Sequence, residues 1–247
     1  MEFEPTLLIV GGLAMLLAGF LRGLTGFGAG LVAVPIISTL VEPQIIVPAV
    51  LIHGVVTSIP LLIHARHEME PLRIWPLMIG AIIGIPFGSY LLIALDADTL
   101  RLLIGLVASG FAILLLVGFS HPIKRERLAF LPVGFLSGLF NGTSSMAGPP
   151  VILFFANQRM PPMVFRANII LLFFSTNITT VFAFIAGGVF SSDSFRLALA
   201  FAPPLMMGTY LGVRYAKNVN MRLFRGIALA VVMGSGGVAI VDGSGLL

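Results

Sequence analysis

Gly19-Phe20-Leu21-Arg22-Gly23-Leu24-Thr25-Gly26-Phe27-Gly28-Ala29-Gly30, closing on Pro35-Ile36-Ile37, returns 115 positions later. The second copy reads Gly134-Phe135-Leu136-Ser137-Gly138-Leu139-Phe140-Asn141-Gly142-Thr143-Ser144-Ser145 and closes on Pro150-Val151-Ile152. Gly19, Phe20, Leu21, Gly23, Leu24, Pro35 and Ile37 all recur at that offset without a gap. Glycine at this density marks a place where an apolar helix breaks. Apolar segments broken at matching positions of two halves point to the substrate site of a transporter.

Composition agrees with a membrane setting. Hydrophobic residues make up 58% of the 247 and charged residues only 10%, with a mean hydropathy of +1.08. Soluble domains average about 25% charged residues, so the chain reads as an all-α polytopic membrane protein. A net charge of +4 from so few charges gives no nucleic-acid surface. The acidic start, Met1-Glu2-Phe3-Glu4-Pro5, lacks the basic region of a signal peptide, so the first apolar segment is expected to be retained. There is no cysteine, which excludes disulfides and thiolate metal sites. Four histidines and no carboxylate pair in an apolar run predict no metal centre and no cofactor.

Apolar runs occupy 6–41, 44–63, 74–95, 100–119, 128–156, 163–190, 197–216 and 221–241. Six of these suit one crossing of about 20 residues. The runs 6–41 and 128–156 do not fit as simply, and the 36 residues of the first would reach about 54 Å in one helix. Each glycine cluster therefore predicts a returning hairpin of two short helices. Charge supports this. If both long runs return to their own side, Arg66, Arg73, Lys124, Arg125, Arg127, Arg159, Arg166, Arg214, Lys217, Arg222 and Arg225 share one face, and only Arg101 and Arg196 lie on the other. Eleven against two follows the positive-inside rule, with the basic face cytoplasmic and both termini outside.

Each half is then a broken or re-entrant hairpin plus three transmembrane helices, and the parity of crossings makes the halves inverted repeats. The first spans 1–120 and the second 128–247, joined by the basic linker 121–127. Pro76-Leu77-Met78-Ile79-Gly80 with Gly84 matches Pro204-Leu205-Met206-Met207-Gly208 with Gly212, and Arg101-Leu102 with Gly105 matches Arg222-Leu223 with Gly226.

The paired Gly-rich, Pro-closed segments in eight or so spans divided by a basic loop resemble the sulfite exporter TauE/SafE family of membrane transporters. The stretch Gly134–Phe154, containing Asn141-Gly142-Thr143-Ser144-Ser145-Met146-Ala147-Gly148-Pro149-Pro150, carries the closer likeness. The resemblance implies a bacterial inner-membrane carrier of sulfite, sulfoacetate and other short sulfonates. Two departures stand out: Gly26-Phe27-Gly28-Ala29-Gly30 is not an unbroken glycine triplet, and the second copy has Thr143, Ser144 and Ser145 where glycines are expected.

The residues themselves suggest a site. A helix restarting near Gly28–Gly30 and another near Ser144–Gly148 would aim free N–H groups at an anion in mid-membrane. Thr25, Gly26, Gly28 and Gly30 in the first copy, and Asn141, Gly142, Thr143, Ser144 and Ser145 in the second, are candidate substrate contacts. The competing reading is that small residues simply let helices approach closely. Arg22, whose mate at the 115 offset is Ser137, either binds substrate or caps helix-end carbonyls. His53 and Asn168 share the same offset and either face the centre or hydrogen-bond between helices. Ser175, Thr176 and Asn177 form a polar patch that reads equally as packing or lining.

The function this predicts is a secondary transporter for a small anion, a sulfite, sulfonate or carboxylate, working by alternating access without enzymatic chemistry. H⁺ and Na⁺ are candidate coupling ions, lipid surrounds the chain, and helix-packing glycines permit a homo-oligomer. An anion channel is the alternative. An intramembrane enzyme using Ser144 or Ser145 with His53 lacks any nucleophile motif.

Overall fold

The computed structural model describes residues 4–117, 126–158, 160–215, 232–234 and 236–244. Its elements are helices: α1 (Pro5–Thr25), α2 (Ala29–Ile37), α3 (Pro43–Ala65), α4 (Pro71–Ala94), α5 (Ala97–Val117), α6 (Glu126–Ser144), α7 (Gly148–Asn157), α8 (Pro162–Ala186) and α9 (Ser192–Tyr215). Residues 232–234 and 236–243 are helical too. Most of the linker 121–127, the positions Arg159, Lys217, Arg222 and Arg225, and much of the expected span 221–241 lie outside the described residues.

Proline sets the helix starts. α1, α3 and α4 each begin at a Glu-Pro pair: Glu4-Pro5, Glu42-Pro43 and Glu70-Pro71. Proline in the first turn lacks an N–H that would be unpaired anyway, and its φ is already helical. α5 instead begins at Asp96, whose carboxylate accepts from the Thr99 N–H at 2.9 Å and from its hydroxyl at 2.8 Å. Those bonds hold the carboxyl below the ordinary range.

Among the described residues five helices are long and apolar enough to cross a membrane: α1, α3, α4, α5 as far as Leu114, and α8. Their outer faces remain apolar, with Ile9 and Leu13, Phe87 and Tyr90, and Phe182 and Ile185 exposed.

The two long runs differ from the expected pairs of short helices. The run 6–41 forms a 21-residue α1 and a 9-residue α2, and 128–156 forms a 19-residue α6 and a 10-residue α7. At 1.5 Å per residue α1 alone is about 31 Å long, enough to span the hydrocarbon core. The break comes late because Gly11, Gly19 and Gly23 stay helical. A side chain on Gly19 would strike the Leu205 carbonyl, and one on Gly23 the Thr209 carbonyl. These glycines seat α1 against α9.

The same ladder joins α4 to α6. Gly80, Gly84 and Gly88 lie against the carbonyls of Leu131, Phe135 and Leu139, while Gly134 and Gly138 lie against those of Leu77 and Ala81. Contacts advance in step along both members of each pair, so α1 runs parallel to α9 and α4 parallel to α6. At the start of the α4–α6 pair, Arg73 bonds Glu70 at 3.0 Å and Glu126 at 2.9 Å. α3 and α8 pack on each other between the pairs.

Candidate functional site

The first break begins where Gly26 turns left-handed (φ 86°) and donates its N–H to the Arg22 carbonyl at 2.7 Å. Gly28 (φ 93°) then starts α2. Only residues without a Cβ take such φ values cheaply, which Gly26 and Gly28 provide, whereas Gly11, Gly19 and Gly23 keep helical φ within α1. The second break repeats this with serine: Ser145 has φ 54°, and its N–H meets the Asn141 carbonyl at 2.9 Å. Serine in that region is strained. Its hydroxyl is anchored, donating to the Val47 carbonyl at 3.1 Å.

Counted from the breaks, the two copies are related by 119 positions and not 115. α1 ends at Thr25 and α6 at Ser144, while α2 starts at Ala29 and α7 at Gly148. The Thr25 hydroxyl donates to the Leu21 carbonyl at 2.8 Å, as Ser144 does to that of Phe140 at 2.9 Å. The glycine ladder explains the discrepancy. Its period of four residues is about one helical turn, so a slip of one turn leaves it looking unchanged. α6 therefore runs one turn further past the matched glycines, and Pro35 and Pro150 fall at different places in α2 and α7.

Counted from the breaks, the residue at the position of Arg22 is Asn141. Each lies three residues before the end of its helix. Arg22 donates through Nη2 to Ser58 Oγ at 2.6 Å and to the Gly54 carbonyl at 3.0 Å. Asn141 donates through Nδ2 to Asn177 Oδ1 at 3.3 Å and to Thr180 Oγ1 at 2.8 Å. Ser58 and Asn177 are both the sixteenth residue of their helices, α3 and α8. Ser137, the mate expected from sequence, instead closes the second break by donating to the Ala147 carbonyl at 2.7 Å.

Between the breaks lies a cavity of about 30 Å³, room for about two water molecules. Arg22, Gly28, Gly30, Asn141 and Ser145 line it, together with Gly54, Phe173 and Asn177. The breaks meet here, since a side chain on Gly30 would strike the Ser145 carbonyl. Arg22 is 4% exposed. Its Nε has no hydrogen-bond partner, and among the described residues no carboxylate pairs with it.

The remaining candidates lie outside the lining. Ser144 bonds within its own helix, and the Thr25 hydroxyl, besides its bond to Leu21, donates to the Phe27 carbonyl at 3.0 Å and accepts from the Phe27 N–H at 3.2 Å. Gly26 packs against Ile170 and Arg166, and Gly142 against Ile85 and Ser89. Thr143 donates to the carbonyls of Leu139 at 2.8 Å and Gly88 at 3.2 Å. His53 Nε2 sits 2.7 Å from the Ala198 carbonyl, and Asn168 Oδ1 accepts from the Glu70 N–H at 2.8 Å. These two tie α3 to α9 and α8 to the start of α4. No sequence pattern singled out Gly54, Ser58 or Thr180, whose partners come from distant parts of the chain.

The family model described as sulfite exporter TauE/SafE matches residues 11–239. The chain belongs to the sulfite exporter TauE/SafE family. It is similar to a Cupriavidus necator protein named probable sulfite/organosulfonate exporter TauE, with 29% identity over 96% of this chain and 95% of that one. No solved structure matches it. Membership makes this TauE/SafE chain a multi-pass membrane transporter and not an enzyme. The hydroxyls of Ser144 and Ser145 donate to the backbone carbonyls of Phe140 and Val47.

Proposed function

We propose that this family member is a secondary transporter moving sulfite, short sulfonates such as sulfoacetate, or related small organic anions across the bacterial inner membrane by alternating access. The observation that carries this is Arg22, a buried guanidinium with an unpartnered Nε on a cavity between two helix breaks. A charge at membrane depth ordinarily faces a partner or a pathway, and a guanidinium fork matches two sulfonate oxygens. The uncapped first-turn N–H groups of α2, and those of Gly148 and Val151 in α7, where Pro149 and Pro150 have none, supply further donors.

The cavity is too small for a sulfonate, so the substrate enters a more open state. The glycine-seated pairs α1–α9 and α4–α6 are the natural rigid bodies, and they rock about α3 and α8. Each pair combines helices from both halves, as two inverted repeats would require. Parallel pairing fits a topology with both termini periplasmic and the basic loops cytoplasmic, in which α1 and α9 descend while α4 and α6 ascend. H⁺ or Na⁺ are the coupling ions to test.

Counterflow in proteoliposomes tests the proposal. Labelled methanesulfonate should accumulate transiently against unlabelled anion inside, and Arg22→Ala should abolish this in a folded protein. Flux without counterflow would identify a channel, and no flux of any sulfonate would remove the substrate assignment.

A further inference from the structure

We infer that the cavity between the breaks selects anions carrying one negative charge, so that hydrogensulfite and singly charged sulfonates are its ligands, while the sulfite dianion, sulfate and sulfoacetate (a carboxylate as well as a sulfonate) are excluded. This rests on the transport reading above and narrows it by fixing the valence of the substrate, which removes the dianion sulfoacetate and keeps sulfonates such as methanesulfonate.

The argument is a count of charge. Among the lining residues only Arg22 is ionic; Asn141, Ser145 and Asn177 offer neutral groups. Every described acid lies at a helix end or in a connection, so the count of one is not reduced by a buried carboxylate. The two helix N-termini add donors but little net charge. Each break also contains a helix C-terminus, α1 at Thr25 and α6 at Ser144, whose dipole end opposes the neighbouring N-terminus.

The other titratable groups on packed elements do not raise the count. Arg166, on α8, is half-buried outside the lining and donates to the Gly23 carbonyl at 3.1 Å. His53, on α3, needs its proton on Nε2 to bond the Ala198 carbonyl, and its Nδ1 is buried without a partner, which describes a neutral ring. On α9, Asp193, Arg196 and Arg214 lie near the helix ends. One buried guanidinium therefore meets one negative charge. A second would be desolvated without a counter-charge, the costly case for any buried ion.

Sulfite makes the test direct, because it passes between hydrogensulfite and the dianion near neutral pH. Methanesulfonate and sulfate keep fixed charges there. The experiment is self-exchange of labelled methanesulfonate by the full chain in proteoliposomes, with equal pH on both sides to remove any proton gradient. Sulfite and sulfate are added as competitors from mildly acidic to mildly alkaline pH.

The expected result is a flat methanesulfonate KM. The half-inhibiting concentration of total sulfite should rise about tenfold per pH unit on the alkaline limb, as the singly charged form is depleted. Sulfate should compete at least about tenfold more weakly than unlabelled methanesulfonate. Arg22→Lys, which keeps one charge, should lower affinity and preserve this order. Sulfite potency that is flat or improves with pH, or sulfate competing as well as methanesulfonate, overturns the valence rule while leaving the transport reading intact. Absence of methanesulfonate exchange overturns both.

Discussion

Arg22 and Asn141 occupy equivalent positions before the two breaks but have unequal chemistry, one cationic and one neutral. Arg22→Gln should weaken anion binding roughly 10- to 100-fold, the loss of about 1.5–3 kcal/mol for a hydrogen bond to a charged group. Substrate titration followed by scintillation proximity would read it. Asn141→Ala should act differently, destabilising the fold by about 1–3 kcal/mol because Asn177 and Thr180 lose a buried donor, with a lowered melting temperature in detergent. Ser144→Ala should leave transport close to native, since that hydroxyl is spent on its own helix. Arg22 was legible from sequence as a charge in an apolar run with no acid nearby. Its placement level with Asn141 relative to the breaks was not, because a glycine ladder with a four-residue period hides a one-turn slip. Gly54 and Ser58 were invisible for another reason: their role exists only once the fold brings α3 within reach of the Arg22 side chain.

At the scale of the helix, the glycines divide into two kinds that sequence alone does not separate. Gly26 and Gly28 break the chain, while Gly19, Gly23, Gly84 and Gly138 seat one helix on another's carbonyls. This is why the expected hairpins of two short helices became long helices followed by short ones. Alanine substitution distinguishes the kinds. Gly138→Ala should cost about 1–3 kcal/mol by prying α6 from α4, read as a thermal shift against native protein. Gly12→Ala, with open space around its Cα, should be neutral or slightly stabilising through helix propensity. The α3–α8 contact should be more forgiving than either ladder, because Gly54 there faces the Asn177 side chain and not a backbone carbonyl.

Across the whole molecule, the proposed motion leaves α1–α9 and α4–α6 intact and changes the space between the breaks. Composition, charge asymmetry and the repeated segment already indicated a polytopic transporter, because those signals are summed over the chain. Which helices pair across the halves was not legible, since it depends on packing that only the folded chain displays. The absence of cysteine makes the central claim accessible to one measurement. With Ser145→Cys placed in the cavity lining, the rate of maleimide labelling should fall when methanesulfonate is present. That protection should vanish when Arg22→Gln is added. Labelling unaffected by methanesulfonate, or protection that survives the loss of Arg22, would contradict an anion site built between the two breaks around that guanidinium.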